Sequence, residues 1–514
     1  MTCSSAVFLL ACVVPLAAQT SSNQCAGNAA AADTSTTSSW NGWGGDISNS
    51  RFQSANGAQI TAAQVPRLKL KWAYGLAGAK QVYGEPVVVG GRAYFSADTG
   101  LVYSVNAATG CTYWTFQAES GVRTAVSVKA GQPGLVIFGD QKANVYAVDA
   151  AKGTQIWKVR VDDHPTAKIT GAPQVYQDRV YVPVASGEEG ASSSPSYPCC
   201  SFRGSVVALD AATGKQIWKT FTIAEVPKVV GKNGNGTSRW APAGAGVWNT
   251  PTIDPKRHAL YIGTGDAYTT PAPNTTDAVM AMDLDSGKIL WSVQGTENDA
   301  WVVGCMNARP LENCPKDFGP DQDFGSPPIL RELSAGRTLL IAGQKSGNVW
   351  AYDPDKSGAV VWRTALVNNT KEFGGKIVWG GASDPQTAYF GLGTGGIGAI
   401  DIRNGERKWF TALVPAEGRS AHTGQEGPLT AIPGVVFSGG WDGVVRALSA
   451  SDGQVIWQFD TLREFQTING VAAKGGSMGA AGPVAAGGML FVPSGYIGVR
   501  QGLPGNVVLA FSAE

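Results

Sequence analysis

The sequence is poor in charge and in histidine, and no long apolar run follows its first residues. Only 15% of the 514 residues are charged, 40 basic side chains stand against 39 acidic ones, and there are 3 histidines. This balance excludes the strongly basic surface of nucleic-acid binding proteins, so no nucleic-acid partner is expected. An apolar run of about 18 residues is missing after the leader, which predicts no membrane span. A Cys-x-x-Cys-His motif is also missing, which excludes a covalently attached c-type haem in this chain.

Glycine and tryptophan, by contrast, are abundant, with 67 and 16 residues. Glycine weakens helices, whereas aromatic side chains suit the pleated surface of a sheet. A hydrophobic share of 43% is enough to build a large core. These features predict an all-β protein of short strands and tight turns.

The first 18 residues have the features of a secretory signal peptide. The apolar run from Phe8 to Ala18 is too short to span a bilayer and ends in small residues, although no Lys or Arg precedes it. The LLAC sequence ending at Cys12 leaves lipidation as an alternative. Residues 19–39 are small and polar without periodicity, and they are predicted to be a flexible linker.

Cysteine usage agrees with export. Removal of the leader leaves an even number of cysteines, which predicts disulfides and an oxidising compartment. These residues are Cys25, Cys111, Cys199, Cys200, Cys305 and Cys314. We therefore expect a periplasmic or secreted protein.

One pattern recurs through the chain: an alternating apolar strand, a polar residue that is usually Asp, a glycine turn, and a Trp four residues after the glycine. Its seven copies end at Trp114, Trp157, Trp218, Trp291, Trp362, Trp409 and Trp457. Each copy is typical of a β-hairpin, and its Trp is too large for one sheet to bury, so the ring is expected to pack on the neighbouring sheet. The segments LKLKWAYG near the start and VVLAFSAE at the end supply two parts of an eighth copy. The repeat predicts one domain over residues 40–514, an eight-bladed β-propeller closed by shared N- and C-terminal strands.

The spacing of the repeat indicates where the functional site lies. The three intervals between Trp157 and Trp362 are longer than the roughly 40 to 45 residues that a four-stranded blade needs. Insertions in repeat proteins collect on one face and commonly build the binding site. Residues 158–362 are therefore the region in which candidate site residues are sought.

Several segments carry a resemblance to a known family. The Asp-x-x-Thr-Gly-x-x-x-Trp repeat resembles that of the quinoprotein alcohol dehydrogenases, whose propeller binds pyrroloquinoline quinone (PQQ) over a metal ion. The segments WNGWGGDISNSRFQ, YPCCSFRGSVVALDAATG and GPDQDFG are most similar to the polyvinyl alcohol dehydrogenase branch. The resemblance covers about residues 40–514 and implies PQQ and calcium as cofactors, with a lanthanide as the alternative cation.

The resemblance also implies a set of cofactor-binding residues. Trp248 matches the Trp that lies flat against the quinone, and a broad indole suits a flat polycyclic ligand. Thr170 and Lys345 match a hydroxyl and a cation that bind the quinone, and Arg123 is a candidate second partner for its carboxylates. The adjacent Cys199 and Cys200 resemble the vicinal disulfide ring of these enzymes, at a different place in the chain, and are predicted to cap the site.

The implied metal ligands are oxygen donors, which calcium prefers. Counting from Thr170 selects Glu188, whereas the Ser-Gly-x-Glu pattern selects Glu189, and both remain candidates. Asp266 stands where relatives have Asn. Asp323 occupies a position that, in some relatives, adds a ligand and favours a lanthanide.

The implied catalytic base is Asp321, because the Asp-x-Asp pattern before Pro-Pro matches that of relatives without a gap. Asp299 is the alternative base. With Asp321 as the base, the stretch from Asp299 to Pro320 is an insertion that a disulfide between Cys305 and Cys314 would close. Asp321 would accept the proton of the alcohol.

The resulting hypothesis is an exported PQQ-dependent dehydrogenase that oxidises alcohols to ketones. The resemblance implies secondary alcohols, including those of a polymer, as substrates. With no haem motif in this chain, a separate cytochrome c is the expected electron acceptor. The alternative is a non-catalytic propeller that acts as a binding or assembly platform, for which the set of acidic residues has no purpose.

Overall fold

The computed structural model describes residues 23–26, 38–307, 309–333, 336–366, 376–414, 423–498 and 502–513. The predicted signal peptide, residues 1–18, and most of the predicted linker lie outside the described residues. The described chain forms eight antiparallel sheets of four or five strands, together with two short hairpins. The prediction of an all-β, eight-bladed propeller is confirmed.

In six blades the four strands pair in chain order. In blade three, Ala167–Lys168 and Gln174–Tyr176 both pair with Arg179–Ser186, and in blade eight the N-terminal strand pairs with the C-terminal one. Blade one consists of Val87–Val89, Arg92–Ser96, Leu101–Asn106 and Thr112–Gln117, and blade two of Ser127–Lys129, Leu135–Gly139, Asn144–Asp149 and Gln155–Arg160. Blade three consists of Ala167–Lys168, Gln174–Tyr176, Arg179–Ser186, Ser205–Asp210 and Gln216–Phe221, and blade four of Thr252–Asp254, Ala259–Gly263, Ala278–Asp283 and Ile289–Gln294. Blade five consists of Ile329–Glu332, Thr338–Gly343, Asn348–Asp353 and Ala359–Ala365, and blade six of Ala382–Ser383, Thr387–Gly391, Ile397–Asp401 and Arg407–Thr411. Blade seven consists of Thr430–Ile432, Val435–Gly439, Val444–Ser449 and Val455–Asp460, and blade eight of Val484–Ala486, Met489–Ser494, Val507–Ala513 and Leu68–Gly75.

A few elements lie outside the blades. They are the hairpins Lys228–Lys232 with Ser238–Ala241 and Glu464–Phe465 with Ala473–Lys474, the helices Ala55–Ala58 and Glu188–Ala191, and the 3-10 turns Val65–Arg67, Val303–Met306 and Pro354–Lys356. No helix in the described part of the chain is long and apolar enough to cross a membrane.

The ring is closed by a blade that both ends of the chain build. Leu68–Gly75 pairs antiparallel with Val507–Ala513, with Leu68 opposite Ala513 and Gly75 opposite Val507. The predicted closure by shared terminal strands is therefore present, and it pairs sheet edges that would otherwise be open to aggregation.

The repeated Trp residues link each blade to the next. Trp114 Nε1 donates a hydrogen bond to the carbonyl of Ala150, 3.0 Å away, and its ring lies on Gly153, where an added Cβ would come within 2.6 Å. Trp457 makes the equivalent bond to Leu68 across the closure, at 3.3 Å. The turn glycines have positive φ near +70°, for example +71° at Gly153. Glycine is therefore required twice over in this turn, for its backbone conformation and for the space that the ring fills.

The strength of the closure can be tested at Phe511, which is fully buried on the shared blade. Its ring lies 5.4 Å from that of Trp457 and 4.8 Å from that of Phe459, both on blade seven. We expect Phe511→Ala to lower the free energy of unfolding by about 3 to 5 kcal/mol, because it leaves a cavity at this junction. Phe511→Leu, the control, should cost much less. Urea denaturation followed by Trp fluorescence measures both, and an unchanged midpoint for Phe511→Ala would contradict the closure.

Three disulfides lie in the described chain, pairing Cys25 with Cys111, Cys199 with Cys200, and Cys305 with Cys314. The first anchors part of the predicted linker. Cys25 N–H donates to the carbonyl of Thr112 at 3.0 Å, and Thr112 N–H donates to the carbonyl of Asn23 at 2.8 Å. Residues 23–25 therefore lie as a short parallel addition along the outer strand of blade one, which departs from the flexible linker expected there.

Candidate active site

The site lies on one rim of the propeller. At this rim the first strand of a blade begins and the strand that pairs with it ends. Because these two strands are antiparallel, the start of one and the end of the other face the same rim. Glu189, Asp266 and Lys345 follow such strands in blades three, four and five. Asp321 and Asp323 precede the first strand of blade five.

Three carboxylates meet at this rim. One oxygen from each of Glu189, Asp266 and Asp321 lies within 4.8 Å of the others. Calcium binds oxygen ligands at about 2.3 to 2.6 Å, so one ion can reach all three. Asp266 Oδ2 is buried without a hydrogen-bond partner in the described structure, which leaves it available to a cation.

Two lysines and a fourth carboxylate complete this cluster. Lys345 Nζ lies 2.5 Å from Asp321 Oδ1 and 2.8 Å from Asp323 Oδ2. Lys376 Nζ lies 3.7 Å from the other oxygen of Asp321. Asp323 also accepts the main-chain N–H of Asp266 at 2.9 Å, which connects the loops of blades four and five.

The electrostatics of the cluster favour a bound cation. Burial raises the pKa of Glu189 to about 7, and the nearby Asp321 and Asp323 add repulsion that Lys345 opposes. Burial, reinforced by Asp323, also raises the pKa of Asp266 well above its usual value. Burial raises the pKa of Asp321 as well, against the opposing charge of Lys345. A divalent or trivalent ion would remove this repulsion and hold the carboxylates ionised.

The structure separates the two adjacent glutamates. Glu188 is fully buried, and its carboxylate accepts the N–H groups of Ser201 and Phe202 at 2.9 and 2.8 Å and the hydroxyl of Tyr197 at 3.0 Å. It therefore holds the loop that follows the vicinal disulfide, whereas Glu189 contributes to the carboxylate cluster.

Asp299, the alternative base, supports Asp321 from behind. Its carboxylate accepts the N–H of Asp321 at 3.2 Å and that of Gln322 at 2.8 Å. Burial raises its pKa to about 6. These bonds fix the loop that carries Asp321, which stands in the left-handed region with φ of 61°.

Asp277 is a further acid that the sequence analysis missed. It is fully buried next to the cluster, and both carboxylate oxygens are without hydrogen-bond partners in the described structure. Burial, with repulsion from Asp323 and Asp299, raises its pKa well above its usual value. Nothing in its sequence context distinguishes Asp277 from a loop acid, because its burial depends on the neighbouring blade.

A cleft opens beside the cluster. The three predicted residues Arg123, Thr170 and Trp248 line it together. The other lining residues are Trp43, Tyr83, Glu85, Thr124, Ala125, Gly171, Ala172, Asn249, Thr250, Gly325, Pro327, Trp379 and Ala480.

Trp248 lines the cleft and also lies next to the carboxylate cluster. Lys345 Nζ lies 5.4 Å from the centre of its ring, and Trp379 meets the ring edge-on at 4.9 Å. Gly325 lies so close to the indole that an added Cβ would come within 1.8 Å of it. Asn249 anchors the loop through hydrogen bonds to Gly263 and Phe324 at 2.8 and 2.9 Å.

Thr170 and Arg123 bring polar groups to the cleft. Thr170 Oγ1 is buried with no hydrogen-bond partner in the described structure. The Arg123 guanidinium stacks 4.1 Å from the ring of Trp379 and donates to the hydroxyl of Tyr496. A flat ligand that carries carboxylates fits this set, because it would satisfy Thr170 and Arg123 and cover the Trp248 ring.

Two cleft residues, Glu85 and Trp379, were missed in the sequence. Glu85 lies two residues before the strand Val87–Val89, and Trp379 lies three residues before Ala382–Ser383, whereas Arg123 and Trp248 lie four residues before the first strands of their blades. A comparison at one fixed offset from the strands would therefore not have selected them.

Cys199 and Cys200 form the predicted ring, but the structure does not bring them to the cleft. They are buried in a cluster that includes Phe202, Tyr268 and Trp301. Backbone hydrogen bonds join Cys199 and Cys200 to Trp240, and Glu188 holds the residues that follow. The position of the ring therefore differs from the cap over the cofactor that was predicted.

Comparison with known proteins identifies the family. The model of the PQQ-dependent glucose/ethanol/alcohol dehydrogenase β-propeller domain matches residues 40–317. A polyvinylalcohol dehydrogenase from Pseudomonas sp is 41% identical over 96% of this chain and 79% of its own length. One from Sphingopyxis sp. (strain 113P3) is 37% identical over the same shares.

The chain belongs to the PQQ-dependent alcohol dehydrogenase family. It is accordingly an oxidoreductase, similar to polyvinyl alcohol dehydrogenases. The crystal structure of the quinohemoprotein alcohol dehydrogenase from Comamonas testosteroni matches it with a TM-score of 0.69 at 20% identity, over 93% of this chain and 81% of that one. That likeness concerns the fold alone. The non-catalytic platform considered from the sequence is not supported by these relatives.

Proposed function

We propose that this enzyme oxidises secondary alcohols, including hydroxyl groups along a polymer, to ketones. The observation that carries the proposal is the group of three carboxylates, Glu189, Asp266 and Asp321, next to a cleft whose wall is Trp248. The names of the two relatives support the substrate class, because polyvinyl alcohol is a chain of secondary alcohols.

Trp248, Thr170 and Arg123 would hold PQQ in the cleft, and Lys345, which lies 5.4 Å from the centre of the Trp248 ring, would provide a cation next to it. When bound, it supplies a quinone that accepts hydride from the alcohol carbon. Asp321 takes the proton of the alcohol hydroxyl, so that the carbon–oxygen double bond forms as the hydride leaves. Lys345 and Lys376 favour the ionised form of Asp321, which is the form that accepts a proton.

Calcium fits between Glu189, Asp266 and Asp321, where it would polarise an oxygen bound nearby. Asp323 brings a further carboxylate to the same place. A set this rich in carboxylates also suits a trivalent lanthanide, since affinity for hard cations rises with the charge of the ligands.

Reduced cofactor needs an electron acceptor, and we propose a separate cytochrome c in the periplasm or outside the cell. The three disulfides support an oxidising compartment. We also propose that the ring of Cys199 and Cys200 braces the loop beside Glu188 rather than capping the cofactor.

The substrate class can be tested on purified protein loaded with PQQ and calcium. We expect dye-linked oxidation of 2-propanol, 2,4-pentanediol and polyvinyl alcohol, at rates above those for the matched primary alcohols, and no reduction of NAD. Omitting PQQ or adding a chelator is the control. Efficient oxidation of methanol or aldoses with secondary alcohols unchanged would contradict the substrate proposal. Failure to bind PQQ would contradict the function itself.

A further inference from the structure

The segment Trp40–Gln53, here named the plug, runs past the first strands of the blades. It contacts the first strand of a blade, or the residue beside that strand, in seven of the eight blades. The hydrogen bonds are Trp40 to Val88 in blade one, Asn41 to Val128 in blade two, Ile47 to Ile253 in blade four, Ser48 to Leu330 in blade five, Ser50 to Ser383 in blade six, Arg51 to Ala431 in blade seven and Arg51 to Pro483 in blade eight.

The plug makes a tight turn near its end. Asn49 and Arg51 both have positive φ, 54° and 46°, which costs a residue with a side chain about 1 to 2 kcal/mol. Asn49 offsets this cost with bonds to Thr250 and Thr252 at 3.1 and 2.8 Å. The turn directs the Arg51 side chain into the protein, where it is fully buried.

Arg51 forms hydrogen bonds with segments that are far apart in the sequence. Its Nε donates to the carbonyl of Leu429 at 2.6 Å, and its Nη2 donates to Thr430 Oγ1 at 3.1 Å. Its Nη1 donates to the carbonyl of Trp43 at 2.5 Å, and the guanidinium lies 4.7 Å from the centre of the Trp43 ring. A buried guanidinium needs a counter-charge as well as neutral acceptors. Glu85 Oε1, 4.0 Å from Nη1, provides it.

Glu85 joins this buried arrangement to the cleft. It is 4% exposed and is the one carboxyl group among the described residues that line the cleft. Burial raises its pKa to about 7, while the charges of Arg51 and Arg123 and a hydrogen bond with Trp43 lower it. Its proton is therefore gained or lost in the neutral range, at a wall where a ligand with carboxylates would bind.

We propose that Arg51 is a positioning residue for the cofactor cleft: through their buried ion pair, it fixes the place and the charge of Glu85. Protonated Glu85 donates a hydrogen bond to a carboxylate ligand, whereas ionised Glu85 repels it. Cofactor affinity is then highest below the transition of Glu85 and falls as the pH rises through it. This inference rests on the proposed position of PQQ in the cleft.

The test is the dissociation constant of PQQ from calcium-loaded apoprotein, measured between pH 5.5 and 9 by quenching of Trp fluorescence. We expect the wild type to bind more weakly above a midpoint near pH 7. Glu85→Gln should remove this step, which also controls for titration of PQQ itself. Arg51→Met should move the midpoint upward by about one pH unit, because the positive charge that favours ionised Glu85 is lost. Arg51→Lys keeps the charge and should restore a midpoint near that of the wild type.

Arg92→Met is the matched control for loss of a buried arginine. Arg92 is 2% exposed on blade one and stacks 4.0 Å from the ring of Tyr113, outside the cleft lining. Its replacement should lower the melting temperature and leave the midpoint unchanged. Equal midpoints for Arg51→Met and Arg92→Met, or a step that persists in Glu85→Gln, would overturn the inference while leaving the proposed function intact. Should Arg51→Met fail to fold, Glu85→Gln and Arg51→Lys decide. Absence of PQQ binding by the wild type at every pH would overturn both.

Discussion

Replacing Asp321 by Asn is expected to lower turnover by a factor of about 100 or more while PQQ binding stays nearly intact. A positioned base contributes roughly 10² to 10⁴ to the rate, and the amide cannot accept the alcohol proton. Binding should persist because Arg123, Thr170 and Trp248 line the cleft independently of Asp321. The amide keeps an oxygen toward the cation but loses a charge, so turnover is measured at saturating calcium. Steady-state oxidation of 2-propanol with a dye acceptor gives turnover, and Trp quenching gives cofactor affinity.

Asp299→Asn is the matched comparison for this prediction. Asp299 accepts the main-chain N–H groups of Asp321 and Gln322, so its amide variant weakens the support of the loop and leaves the base in place. We expect a smaller loss of turnover, on the order of tenfold, together with lower stability. Near-normal turnover in Asp321→Asn with loss in Asp299→Asn would reverse the two roles.

The fold was predictable because its signal is local and repeated. Each glycine turn and its Trp lie four residues apart in the sequence, and the contact between one Trp and the next turn recurs around the ring, as at Trp114 and Gly153. The closing blade followed from two incomplete copies, which pair as Leu68 with Ala513. A pattern that occurs in seven full copies specifies the architecture more strongly than any single motif.

The site was predictable only in part, because its geometry depends on contacts between blades. Arg123, Thr170 and Trp248 were placed by local motifs and do line one cleft. Glu85 and Asp277 were missed, since their burial comes from elements distant in the sequence, Arg51 for one and the blade-five loop for the other. The motif that identified the Cys199–Cys200 ring likewise did not predict the position of the ring in the fold.

The choice between Glu188 and Glu189 illustrates the same limit at the scale of one residue. Both open the helix Glu188–Ala191, and successive residues of a helix point about 100° apart. One side chain therefore turns toward the amides of Ser201 and Phe202 and the other toward Asp266. An alignment that is ambiguous by one residue does not show which of the two side chains points toward Asp266. The conformation of the helix does show it.

This pair of neighbours provides the last prediction. Glu189→Gln is expected to weaken calcium binding by a factor on the order of 100, because it removes one charged ligand of the three and affinity for hard cations follows the charge of the ligands. Glu188→Gln makes the same chemical change one residue away. It should leave calcium affinity within a few-fold of the wild type and lower stability by about 1 to 3 kcal/mol, since two N–H groups lose a charged acceptor. Terbium luminescence excited through Trp, with calcium as competitor, measures affinity in the apoprotein without any turnover. Loss of metal binding in Glu188→Gln with retention in Glu189→Gln would show that Glu188 is the metal ligand. The blade-three loop would then have to follow a different path.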